Sequence, residues 1–163
     1  MLNRALFCLT LAFSMQLAAQ SNFNEAMITA AERSNFERTS TLAEVIDVLD
    51  ALDAATDLMH RETLLVTDGG RTVPIVILAN PPISTPAQAR ESGKPVIYIQ
   101  GNIHGGEVEG KEASLIAMRD ILFGDKRHLL DNQILIFVPV YNADGNDDMT
   151  ADSRPNQEMS PLL

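Results

Sequence analysis

His104 and Glu107 stand three residues apart in Gly101-Asn-Ile-His-Gly-Gly-Glu107. An imidazole and a carboxylate at that spacing suit a zinc ion, which accepts nitrogen and oxygen donors together. The two glycines between them relieve backbone crowding, so both side chains can turn toward one point. Each residue also has a plainer reading. A histidine can pack or cap near a turn, and an acid in the first turn of a helix is favoured by the helix dipole. That second role does not exclude ligation. In a chain with three histidines and 22 acidic residues the spacing could arise by chance, so the surroundings decide. An apolar run from Pro95 to Ile99 breaks at Gly101, and a helical pattern begins behind Glu107. That context sets the pair at the carboxyl end of a buried strand, where α/β sheets bind their ligands.

The elements that must position this pair follow from periodicity and turn chemistry. Ser21 to Arg38 is polar and aperiodic, with Phe23 and Phe36 as packing points. Thr41-Leu-Ala-Glu44 is a capping box, and the helical spacing behind it predicts a helix over Leu42–Met59. Thr63–Thr67 and Thr72–Ala79 form a hairpin around Asp68-Gly-Gly-Arg71, with His60 ahead of its first strand. A loop follows, carrying one short helix capped by Thr85 and started by Pro86. Then come a strand over Pro95–Gln100, a helix over Glu109–Phe123, and a second apolar strand over Gln133–Tyr141. Two apolar strands joined through a helix imply parallel pairing covered on both faces. Glu109 and Glu112 are expected to be solvated or paired with Lys111 or Arg119. Asn142 is expected to form a turn. A calcium loop starting at Asp144 is excluded, because Met149 and Pro155 occupy the places of its glycine and glutamate.

The chain of 163 residues is long enough for one domain with its own core. It is 45% hydrophobic and 21% charged, with a formal net charge of −10, which argues against nucleic acid and acidic lipid as partners. There is no Gly-x-Ser-x-Gly elbow and no phosphate-binding loop of the Walker type, so serine-hydrolase and nucleotide-binding classes find no support. Residues 1–20 have the layout of a secretory signal peptide: Arg4, an apolar stretch from Ala5 to Leu17, then Leu17-Ala-Ala-Gln20. Cleavage there removes Cys8, the only cysteine, and leaves an exported chain without disulfides or a membrane segment. The expected location is secreted or periplasmic.

The turn Gly101-Asn-Ile-His-Gly-Gly-Glu107, the helix and strand behind it, and Val140-Tyr-Asn-Ala-Asp-Gly145 resemble the amino-terminal part of a zinc metallocarboxypeptidase of the carboxypeptidase A type. Ala31-Glu-Arg-Ser34 also resembles a segment near the start of exported bacterial members. The resemblance covers roughly Ala31 to Asn156. It implies an α/β fold with a mixed, mainly parallel sheet and helices on both faces, here incomplete. The expected organisation is a signal peptide over 1–20, an amino-terminal extension over 21–40, and the first part of a catalytic domain over 41–163. It further implies Zn2+ as cofactor, His104 and Glu107 as two of three ligands, and Arg154 as the group that polarises the scissile carbonyl. Asn142-Ala-Asp-Gly145 departs from the commoner Asn-Pro-Asp-Gly. The third ligand, the Asn-Arg pair that grips a substrate carboxylate, the capping tyrosine and the glutamate base have no counterpart here. The implied substrate is a peptide, or an N-acyl amino acid if the relative is a zinc deacylase or amidase. A non-catalytic remnant or binding module is the alternative for the chain by itself.

Overall fold

The computed structural model describes residues 24–148. The leading segment forms a 3-10 turn, Glu25–Met27, and a single helical turn, α1, over Ala30–Arg33. Thr29 and Glu32 cap α1 reciprocally, each satisfying a backbone N–H of the other. Met27, Ala30 and Ala31 are buried, so this stretch is anchored to the body of the molecule. Phe36 is not the expected packing point. It is 69% exposed, because the chain reverses through positive φ at Asn35 and Phe36 and turns the ring outward. Phe23 lies outside the described residues.

Helix α2, Leu42–Asp53, starts at the capping box of Thr41 and Glu44. It buries Val45, Val48, Leu49 and Leu52, one stripe at helical spacing. It ends well before Met59, the expected limit. Leu58 and Met59 are instead drawn into sheet pairing: Ala79 N–H donates to Leu58 O at 3.0 Å, and Met59 pairs with Leu78. Cross-strand hydrogen bonding outweighs local helical preference there. Strand β1 therefore spans Met59–Val66 and contains His60, which was expected to precede it. Strand β2, Thr72–Leu78, completes the antiparallel hairpin, with one irregularity between Thr63 and Leu65.

Helix α3, Pro86–Ser92, begins as expected at Thr85 and Pro86 and stops at Gly93, whose φ of 67° suits glycine. Strand β3, Val96–Gln100, leads through a loop into helix α4, Val108–Phe123. A 3-10 turn over Arg127–Leu130 follows, then strand β4, Ile134–Val138, and the short helix α5, Ala143–Asp147. The sheet is mixed, as expected, in the order β1-β2-β4-β3. Strands β3 and β4 are parallel, from Val96 against Ile134 to Gln100 against Val138, with α4 as their crossover. The other two pairings among the described strands are antiparallel, so the described part of the sheet is mixed but not mainly parallel: the amino-terminal hairpin supplies two of its four strands.

Helices lie on both faces, but unevenly. Leu49 and Leu52 of α2 and Leu115, Met118 and Leu122 of α4 pack against Val76, Leu78, Leu135 and Phe137 to make the main core. The opposite face carries a small cluster of Ala79, Ile83 and Ile134 with Ala89 of α3, beside an apolar groove of about 510 Å³. Strand β3 departs from the expected burial on both faces: Val96, Ile97 and Tyr98 are all exposed. It stands at the edge of the described sheet, with only β4 beside it. Among the described residues no helix is long and apolar enough to cross a membrane.

Candidate metal site

The loop between β3 and α4 is tied down before it reaches His104. Gly101 N–H donates to Val138 O at 2.9 Å and Tyr141 N–H donates back to Gly101 O at 3.2 Å. Asn142 N–H donates to Asn102 O at 2.9 Å, so pairing with the segment after β4 extends two residues past the strand. Close backbone approach explains two glycines. A Cβ on Gly101 would stand 2.9 Å from the Gly110 carbonyl carbon and from Pro139 O. A Cβ on Gly105 would stand 2.2 Å from Gly145 O, so the ligand loop rests directly on the Asn142–Gly145 turn.

Glu107 N–H closes a turn onto His104 O at 2.9 Å. Glu107 holds the N-cap position of α4, yet its side chain makes no cap hydrogen bond. It folds back instead: Oε2 accepts the His104 N–H at 3.2 Å, and Oε1 lies 2.9 Å from His104 Nδ1. The two side chains sit side by side at the carboxyl end of β3, at 48% and 30% exposure. The donor set fits zinc. Neutral imidazole nitrogen and carboxylate oxygen are ordinary ligands at about 2.0–2.2 Å, and donors 2.9 Å apart can share one ion. Among the described residues no third histidine, cysteine, aspartate or glutamate joins them. His60 instead meets Glu62 at 2.8 Å, and His128 Nδ1 lies 3.0 Å from Asp125 O. Arg154 lies outside the described residues, as does the segment 1–20.

A buried polar network stands behind the loop; sequence reasoning offered its Lys111–Glu112 pair but missed its burial and its other partners. Lys111 is fully buried, and its Nζ donates to Ser40 O and to Asn146 Oδ1, each at 2.5 Å. Glu112, expected to be solvated or paired with Lys111 or Arg119, is paired with Lys111 and buried. It accepts from Thr39 Oγ1 at 2.7 Å, Ser40 N–H at 2.6 Å and Ser40 Oγ at 3.1 Å, and lies 3.9 Å from Lys111 Nζ. Burial pushes the Lys111 ammonium down from the ordinary lysine value, while Glu112, Asp147 and Glu44 act against that shift. The signal was present: Lys111, Leu115, Met118 and Leu122 recur at helical spacing, so Lys111 belongs to the buried stripe of α4. Arg119 works similarly further along, donating to both Glu32 carboxylate oxygens at 2.7 Å.

Asn142 forms a turn, as expected, accepting Gly145 N–H on Oδ1 at 2.8 Å. Asp144 fastens that turn to the hairpin. It accepts from Thr67 Oγ1 at 2.9 Å, Arg71 Nη1 at 2.8 Å and Gly69 N–H at 3.2 Å. The Arg71 guanidinium, with help from Thr67, holds its carboxyl below the usual aspartate range. All of its oxygens are engaged with the hairpin, a structural task rather than an ion-binding one.

Comparison with known proteins agrees with this layout. Carboxypeptidase A from Helicoverpa armigera superposes with a TM-score of 0.59 at 21% identity, over 86% of this chain and 32% of that one. Bovine thrombin-activatable fibrinolysis inhibitor, solved in complex with tick carboxypeptidase inhibitor, gives 0.56 at 16% identity, over 69% and 34%. A putative carboxypeptidase A from Shewanella denitrificans gives 0.51 at 24% identity, over 63% and 26%. The described residues thus have a carboxypeptidase fold, and the chain spans about a third of the length of the first two of these structures. No curated protein matches the chain significantly. The model of the zinc carboxypeptidase family matches residues 45–158, most of the sequence, and the chain belongs to that family.

Proposed function

We propose that this chain carries part of the zinc site of an exported metallocarboxypeptidase, with His104 and Glu107 as two of the ligands. The observation that supports it most is the 2.9 Å separation of His104 Nδ1 and Glu107 Oε1 on one braced loop. A bound zinc ion lowers the pKa of its water to about 7 and polarises a carbonyl. This chain's residues hold and orient. Glu107 bonds both the ring and the backbone N–H of His104, and so keeps the imidazole turned toward the carboxylate. Arg154 is the residue proposed to meet the charge that develops on the carbonyl oxygen. The substrate is a peptide cleaved near its C-terminus, or an N-acyl amino acid if the parent is a deacylase.

Because the chain spans about a third of its structural relatives, the activity is proposed for the complete protein. His104→Ala and Glu107→Ala in that protein should each lower zinc content and abolish hydrolysis of a blocked dipeptide. Unchanged metal stoichiometry in both variants would place the ligands elsewhere. Faster turnover of an N-acyl amino acid than of the dipeptide by the unaltered protein would favour the deacylase.

A further inference from the structure

Asn102 has no role in the ligand set, yet its surroundings are unusual. It is 2% exposed, sits at φ 52°, and directs its carboxamide into the concave side of the ligand loop. Nδ2 lies 3.3 Å from His104 O, 3.2 Å from Gly105 O and 3.4 Å from Glu107 O. Three carbonyls from a four-residue stretch thus converge on one nitrogen that carries two hydrogens. Its own carbonyl accepts Asn142 N–H, which anchors the residue to the chain beyond β4. Oδ1 is buried without a hydrogen-bond partner among the described residues. An unpaired buried acceptor is unfavourable, so the position is held for what Nδ2 does.

We propose that Asn102 is a positioning residue for the zinc ligands: by gathering the carbonyls of His104, Gly105 and Glu107 inward, it turns both ligand side chains outward to one point. The left-handed backbone restricts what could serve. Glycine takes that conformation without strain but brings no amide; asparagine tolerates it and supplies one. Aspartate would set a carboxylate against three carbonyl oxygens, and alanine would lose the donor while straining the backbone. The inference rests on the reading of His104 and Glu107 as ligands and adds what holds them in register.

The test uses the complete protein and two readouts besides turnover: the zinc dissociation constant from chelator competition, and the visible spectrum of the cobalt(II)-substituted form. Asn102→Gly keeps the backbone and removes only the amide. It should weaken zinc binding about tenfold or more and alter the cobalt spectrum, while the far-UV circular dichroism stays unchanged. A dissociation constant within about twofold of the unaltered protein, with an identical cobalt spectrum, would overturn the proposal. If Asn102→Gly does not fold, Asn102→Ala, which likewise lacks the amide, is judged by the same criteria. His104→Ala and Glu107→Ala run alongside. If both retain full zinc affinity, the ligand reading itself fails and this inference with it. If they lose zinc while the Asn102 variants do not, only the positioning role is refuted.

Discussion

Replacing Lys111 by methionine keeps the length of the side chain and removes its charge, which isolates the contribution of the buried ammonium. Asn146 Oδ1 loses a donor at 2.5 Å, and a buried acceptor left unpaired costs about 1–3 kcal/mol. Ser40 O retains a weaker bond from Asn146 Nδ2 at 3.4 Å, so its loss is smaller. Glu112 keeps its donors from Thr39 and Ser40 but loses a cation 3.9 Å away, an attraction of roughly 4 kcal/mol at an effective dielectric constant of about 20. Against these, the variant no longer desolvates an ammonium, a relief of several kcal/mol. The balance is a destabilisation of about 2–3 kcal/mol. Urea unfolding of the complete protein should show it as a lower midpoint at unchanged slope. The pH dependence gives an independent check. Burial lowers the folded-state pKa of Lys111, so below the ordinary value of 10.5 the unfolded chain binds more protons than the folded one. Stability should rise as pH climbs toward that value and level off above it, and Lys111→Met should lack the rise. A loss below about 0.5 kcal/mol, or a gain, would show that the desolvation penalty outweighs the network.

Two further outcomes are expected. Hydrogen bonds from Arg38, with others from Thr41, hold the Glu44 carboxyl at about 2 against an ordinary 4.5, so its contribution is present above about 4.5 and lost as pH falls toward 2. Since the arginine is half-exposed, that contribution is at most about 1 kcal/mol, and Glu44→Gln should flatten acid denaturation by that amount in a urea-midpoint series. If residues 1–20 are a cleaved export signal, as proposed, amino-terminal sequencing of secreted material should find a start near Gln20 or Ser21; a start at Met1 would refute the proposal.

Local chemistry alone determined much of this molecule. Capping at Thr41 and Thr85, the glycine turn of the hairpin, the two apolar strands and the helix between them all depend on neighbours within a few residues, and each formed near where the spacing placed it, although the second strand spans Ile134–Val138 rather than Gln133–Tyr141. The pairing of His104 with Glu107 was legible for the same reason, since both lie on one turn. Only the tertiary structure decided where α2 stops, because the competitor for Leu58 and Met59 is the distant β2 edge at Leu78 and Ala79. It also decided that Phe36 is solvated while Glu112 is buried: a carboxylate leaves water only when donors such as Thr39 and Ser40, more than 70 residues away, come to meet it. Asn102 is the sharpest case. Its neighbours mark a turn, but the carbonyls it gathers, and the Asn142 amide that fixes it, converge only once the loop is seated against the chain beyond β4.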